Sequence, residues 1–216
     1  MKLVYFNARG LAETSRFLLA LANKNYEDYR YPIQILDWES HNSIKDEFDS
    51  DKNEGKLIYS LNKLPYLQVE NRIIPQSKAI ERYIAKRFNM MGTNDLEAAI
   101  IDSICEYVRD IKDAYQKVKK TNNIERLQAI NIWFLETLPN KLESLEIIMN
   151  NTDHAVGNYL SLADVVLYSL IIQFFDDVAR AYEATGNTIK IRGIVNKLQE
   201  NKYIQNWINI RPKTPF

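Results

Sequence analysis

One cysteine and two histidines among 216 residues exclude a good deal at once. With Cys105 alone, no intramolecular disulfide can form and no cysteine-based metal site can be assembled. His41 and His154 are too few and too isolated to suggest a zinc centre, so no metal is expected. Neither sign of charge dominates: 28 Lys and Arg stand against 28 Asp and Glu, which gives no electrostatic reason to expect nucleic acid or an anionic membrane as partner. The one basic run, residues 117–120, reads as a solvated helix end. No apolar run reaches the length of a membrane span and no charged leader with a long apolar stretch is seen, so a cytoplasmic protein is expected. What is present suits a globular chain: 46% hydrophobic residues can bury a core, at a length fitting one large domain or two small ones.

Residues 1–88 mix strand and helix. A β-forming run at 2–6 leads into apolar residues at helical spacing over 11–22 (Leu11, Phe17, Leu18, Leu21). A second strand is expected at 26–31, and strands at 66–69 and 72–74 flank Glu70-Asn71 as a two-residue hairpin turn. A helix over 76–88 follows, with Ile80, Tyr83, Ile84 and Phe88 on its inner stripe. The order is βαβ, a gap, then ββα. The gap, 36–62, is polar and charged; a short helix at 43–48 beside a mobile insert is expected there, because compact domains seldom hold structureless connections of such length. Residues 89–95 read as a linker and 96–216 as all helix. One long stripe runs through Leu96, Ile100, Ile104, Tyr107, Val108, Ile111, Tyr115 and Val118, and further helices are expected at 124–136, 139–149, 162–183 and 191–201.

The sharpest local signal is "GNYLSLADVVLYS", residues 157–169. Ser161 and Asp164 form a capping box, with Leu160 and Val165 placed as a hydrophobic staple, which is a folding device with no catalytic part. In "NKLPYL", residues 62–67, Pro65 stands before a strand; the bond from Leu64 is either trans or cis, and a cis bond would turn the Leu64 backbone outward for strand addition. "PQSKAIERYI", residues 75–84, opens a helix at Gln76 and Ser77; its unpaired amides can hold a carboxylate, or Ser77 can simply cap its own helix. Tyr5, in "LVYFNARGLAETSRF" (3–17), is a phenol at the mouth of the first turn. With an ordinary pKa of about 10 it is a donor at neutral pH, and beside a thiol such a donor favours the thiolate.

Together these pieces resemble the cytosolic glutathione transferases, most closely the sigma class and its prostaglandin D synthase-like members. "VYFNARGLAE", "LDW" at 36–38, "NKLPYL", "PQSKAIERYI", "GNYLSLADVVLY" and the tail "WINIRPKTPF" fall in that family's order along nearly the whole chain. The resemblance implies a thioredoxin-like glutathione-binding domain, then a helical bundle domain, assembled as a homodimer. It makes Tyr5 the catalytic hydroxyl that hydrogen-bonds the sulfur of glutathione, a cosubstrate, with no cofactor. Pro65 becomes a cis-proline and Leu64 pairs its backbone with the cysteinyl unit. Gln76 and Ser77 hold the γ-glutamyl carboxylate, Trp38 and Lys63 the glycyl end, and Asp110 reaches the partner subunit's ligand near its α-amino group.

Three departures from the family pattern stand out. Leu11 replaces an arginine that many sigma-class members carry near the thiolate. The segment between Trp38 and Lys63 is long, so a further lysine contact falls on Lys45 or gives way to Asn42. Arg109 stands where the prostaglandin D isomerases have an aspartate. The resemblance implies detoxifying conjugation of the thiolate to hydrophobic electrophiles that meet Phe6, Ala8, Leu11, Val108, Val166 and Leu170. The alternatives are a catalytically weak structural or binding protein on the same scaffold, and a glutathione-dependent isomerase or peroxidase.

Overall fold

The computed structural model describes residues 1–37, 42–121, 123–150 and 153–214. Strand β1 (Lys2–Phe6) pairs in parallel with β2 (Glu27–Tyr31) through the crossover helix α1 (Glu13–Leu21), entered by a 3₁₀ turn at Gly10–Ala12. On its other edge β1 runs antiparallel to β5 (Tyr66–Val69), which is antiparallel to β6 (Arg72–Pro75), giving a four-stranded sheet of order β2-β1-β5-β6. Val69 pairs with Arg72, so Glu70-Asn71 is the two-residue turn the sequence indicates, with Glu70 at φ +52°. Successive strand residues face opposite sides, and Leu3 and Val4 are both fully buried, so β1 is covered on both faces. The helix after β6 is α3 (Ser77–Arg87).

The gap of the sequence reading holds more order than expected, and the helix at 43–48 is corrected. Residues 42–44 are instead strand β4 (Asn42–Ile44), paired antiparallel with β3 (Gln34–Asp37), and helix α2 runs over Asp46–Asn53. Asp46, Glu47 and Asp49 crowd the first turn of α2, where the helix dipole favours negative charge. Only Phe48 of this helix is buried, but it joins Val4, Tyr31 and Leu57 in one apolar cluster, and Tyr31 donates its hydroxyl to Asp51 at 2.7 Å.

The helical elements begin with α4 (Asp95–Lys119), capped by Asn94, whose side chain accepts from the Glu97 amide at 2.9 Å. Its buried stripe is Ile101, Ile104, Cys105, Val108, Ile111 and Tyr115; Leu96, expected on the stripe, is exposed. Helix α5 (Asn123–Ile132) passes through a π turn at Trp133–Thr137 directly into α6 (Leu138–Glu146). Pro139 is the second residue of α6, directly after the π turn. The single helix expected over 162–183 is divided: α7 (Leu162–Ser169) ends in a π turn at Leu170–Phe174, Phe175 is extended, and α8 (Val178–Glu183) starts afresh. The break is local chemistry. Asp177 caps α8 by accepting from the Arg180 amide at 3.0 Å, while Phe174 and Phe175 turn onto the Tyr115 ring, with centroids 6.0 and 5.0 Å away. Helices α9 (Ile189–Gln199) and α10 (Lys202–Ile210) complete the chain.

The molecule divides into two compact units, Met1–Ile84 with Asn206–Phe216, and Ala85–Gln205. The 206–216 segment clusters with the sheet, and its Trp207 and Arg211 bond to Glu13 of α1.

The capping box at the start of α7 is present, and Asp164 does more than close it. The carboxylate, 1% exposed, accepts from the Ser161 amide at 2.7 Å, the Ser161 hydroxyl at 2.6 Å and the Ala155 amide at 2.8 Å. Asp164→Ala leaves those donors buried and unpaired, so it should destabilise the protein by about 3 kcal/mol. Thermal melting should fall by roughly 6–12 °C; a melt within 2 °C or so of wild type sinks the assignment.

Candidate active site

Tyr5 sits where β1 outlives its pairing with β5. That ladder stops at Val4–Tyr66, and Tyr5 remains paired only with Arg30 of β2. The chain then turns tightly: the Asn7 amide donates to the Tyr31 carbonyl at 2.8 Å and the Ala8 amide to the Phe6 carbonyl at 2.6 Å. The turn brings the Leu11 amide to the Tyr5 hydroxyl, donating to it at 3.2 Å. Gly10 between them has φ +40°, and a Cβ there would lie 2.6 Å from the phenolic oxygen, so only glycine fits. The hydroxyl thus accepts from the backbone, and among the described residues its own proton has no acceptor. Burial raises the Tyr5 pKa, with the Leu11 amide and then the Arg16 charge opposing it; the net rise keeps the phenol protonated, a donor, throughout the neutral range. Leu11 contributes through its backbone amide, while its own side chain lies exposed.

Behind this turn lies a buried ionic cluster that the sequence reading missed. Arg16 is fully buried on α1. Its Nη1 donates to the Ala8 carbonyl at 2.7 Å, to the Arg9 carbonyl at 3.4 Å and to Glu13 Oε2 at 3.2 Å, and its Nε to Asp28 Oδ1 at 3.1 Å. Glu13, 1% exposed, uses its other oxygen to accept from Trp207 Nε1 at 2.8 Å and Arg211 Nη1 at 2.6 Å. In sequence, Glu13 and Arg16 look like an ordinary surface pair at i and i+3; nothing local marks them as interior.

The sheet topology gathers most of the expected glutathione contacts at one end. Because β5 runs against β1 and β6 against β5, the start of β5 and the end of β6 both lie beside the end of β1, as the pairs Val4–Tyr66 and Tyr66–Pro75 record. Leu64 and Pro65, joined by a cis peptide bond, precede Tyr66, with Leu64 half-buried and Lys63 exposed before them. Gln76 and Ser77 follow Pro75 directly. Gln76 is exposed with φ +73°, an uncommon conformation for a residue with a side chain, and its carbonyl accepts the Ile80 amide at 3.0 Å as α3 begins. Asp110 is exposed on α4, in the helical unit. Trp38 lies outside the described residues; of the two positions considered for a further contact, Lys45 is half-buried just before α2 and Asn42 exposed in β4. The expected second-substrate surface is corrected: Ala8, Val108, Val166 and Leu170 are at most 1% exposed and serve as core, which leaves Phe6 and Leu11 accessible. Among the described residues no group of three or more His, Cys, Asp or Glu could hold a metal ion, and no helix is long and apolar enough to cross a membrane.

Residues 1–86 match the family model for the glutathione S-transferase N-terminal domain, and residues 109–211 that for the glutathione S-transferase C-terminal domain. The chain belongs to the glutathione S-transferase family. Among its relatives, glutathione S-transferase 2 of Gallus gallus is 30% identical over 184 residues, covering 85% of this chain and 79% of the relative. Hematopoietic prostaglandin D synthase of Homo sapiens is 26% identical over 216 residues, covering 99% and 97%. Of solved structures, the monomeric glutathione S-transferase Na-GST-3 of Necator americanus matches with a TM-score of 0.78 at 26% identity, over 100% of this chain and 98% of that one. The expected class, a thioredoxin-like α/β domain followed by helices, therefore holds, and this transferase is an enzyme of glutathione chemistry as the sequence implied.

Proposed function

We propose that the protein conjugates glutathione to hydrophobic electrophiles, using Tyr5 to hold the thiol of its cosubstrate as thiolate, without a cofactor. The observation that carries this reading is the Tyr5 hydroxyl, which accepts from the Leu11 amide and keeps its own proton to give. A sulfur beside that hydroxyl receives a hydrogen bond that is stronger to the thiolate than to the thiol, so ionisation is favoured. The peptide backbone of glutathione lies along Leu64 and Pro65, its γ-glutamyl carboxylate at Gln76 and Ser77, and its glycyl carboxylate near Lys63 and Trp38. The nucleophile belongs to the bound tripeptide, and the protein supplies orientation and activation.

The site takes Asp110 from a second copy, in a homodimer. Ile58, Tyr59 and Leu61, at 62%, 77% and 58% exposed, lie close in sequence on the sheet unit as exposed apolar side chains of the kind that a partner subunit covers. A cytoplasmic setting suits a chain with a single buried thiol. The test is retention on immobilised glutathione, then conjugation of a chromogenic aryl halide, with sedimentation to count subunits. Retention and conjugation by a dimer are expected; retention without conjugation reduces the protein to a binding module, and failure of both removes the proposal.

A further inference from the structure

A cavity of about 250 Å³ lies wholly within the helical unit, between α8 with the turn after it and the junction of the Trp133–Thr137 π turn with α6. Phe134, Leu135 and Pro139 give it an apolar wall, and Arg180, Glu183 and Asn187 bring polar groups to the same space. That volume is below the ~300–1,000 Å³ of drug-sized sites, so a ligand here is small. Arg180 is fixed on two sides. Its guanidinium packs on the Phe134 ring, 4.8 Å from the centroid, and its Nη1 and Nη2 donate to the side-chain and backbone oxygens of Asn131 at 3.0 and 3.4 Å. Its Nε is left without an acceptor, and no carboxylate pairs with the guanidinium among the described residues. Glu183 stands three positions on, at the spacing that brings Glu106 and Arg109 together at 2.6 Å on α4. Here the two do not close, and the Glu183 side chain has no hydrogen bond or ion pair among the described residues. Asn187 is steadied through its amide, which donates to Glu143 at 3.0 Å and leaves Oδ1 as an acceptor. The cavity therefore offers a cation and two acceptors, held apart, beside an apolar wall that Leu135 extends at 73% exposed.

We propose that this cavity binds an apolar α-amino acid as its zwitterion, with the carboxylate on Arg180, the ammonium between Glu183 and Asn187, and the side chain against Phe134, Leu135 and Pro139. An anion alone would meet the Glu183 carboxylate and a cation alone the Arg180 guanidinium, so a molecule carrying both charges gains from both. The open edge of the guanidinium is the fork that a carboxylate fits. The amino-acid end of glutathione carries the same two charges, but the rest of that tripeptide is polar and gains nothing from the apolar wall. The site stands apart from the conjugation reading above, because no residue of the Tyr5 turn takes part in it.

Calorimetric titration of the intact protein, with and without saturating glutathione, tests this. L-phenylalanine is compared with 3-phenylpropionate, which lacks the ammonium, with phenethylamine, which lacks the carboxylate, and with L-serine, which lacks the apolar body. Phenylalanine should bind in both conditions, and each of the other three about tenfold more weakly or worse, the worth of one charge-assisted hydrogen bond or one buried ring. Glu183 is exposed, so Glu183→Gln tests the cavity without threatening the fold. That variant should weaken phenylalanine about tenfold and leave 3-phenylpropionate unchanged, a split that a merely structural change would not produce. No heat from phenylalanine at roughly 10 mM, or serine binding as tightly as phenylalanine, overturns the proposal. So does a Glu183→Gln variant that leaves phenylalanine binding intact or weakens both ligands together. Phenylalanine binding that vanishes when glutathione is present places the amino acid in the glutathione site and overturns it as well.

Discussion

Tyr5→Phe should lower turnover with glutathione and an aryl halide by roughly tens- to hundreds-fold, while the affinity for glutathione changes little. The phenol matters chiefly to the thiolate, so its loss appears in the chemical step rather than in ground-state binding. The sign of the pH effect follows. A donor beside the sulfur lowers the thiol pKa from its ordinary value of about 8.5, and burial keeps Tyr5 itself protonated, hence able to donate, as pH rises through the neutral range. Removing the hydroxyl raises the thiol pKa toward that value. The variant's rate should go on climbing with pH where the wild type has levelled. The fold should survive, because the Leu11 amide left behind is exposed and can bond to water. Ultraviolet titration of the bound thiolate checks the shift directly; equal thiol pKa values in the two proteins would remove Tyr5 from the mechanism.

Arg16→Met should be the most damaging single change to stability in the sheet unit. The guanidinium is fully buried and stands between Glu13 and Asp28, so its removal takes a cation from two carboxylates, leaving them Arg211 and Arg30, and unties the Ala8 and Arg9 carbonyls. Breaking a buried ionic group in this way costs about 3–5 kcal/mol, or roughly 10 °C in melting temperature for a chain of this size. Arg16→Lys should recover little, since a point ammonium cannot serve carbonyls and carboxylates on several sides at once. Conjugation should also fall in whatever fraction remains folded, because the turn that aims Tyr5 hangs from this residue. A melt for Arg16→Met within about 2 °C of wild type would show the cluster to be structurally idle.

The comparison of sequence with structure separates local signals from distant ones. Strands β1 and β2, the Glu70-Asn71 turn, the α7 capping box and the span of α4 were legible because each is written in neighbouring residues. Helix α2 was misplaced because its order comes from Phe48 meeting Tyr31 and from Tyr31 bonding Asp51, neither of which a window of sequence can register. The two π turns were hidden because apolar spacing runs on through them, and the start of α8 because Asp177 announces its cap only once Phe175 has left the helix. Helix α10 has the amphipathic pattern of any surface helix, yet its side chains answer to Glu13. Tyr5, Pro65 and Gln76 were singled out from their local motifs, and the roles expected of them came from family resemblance rather than from periodicity. Glu13 and Arg16 were lost because their spacing is what solvent-facing pairs also show.

The reach of Trp207 and Arg211 back to Glu13, across 194 and 198 positions, has a consequence for how the protein is made. A ribosome delivers Glu13 early and its last two partners after the entire helical unit. Until then the sheet unit holds an acid for which a tryptophan and an arginine have yet to be synthesised. The unit that emerges first is therefore among the last to be finished, closing a very long loop at the end of folding.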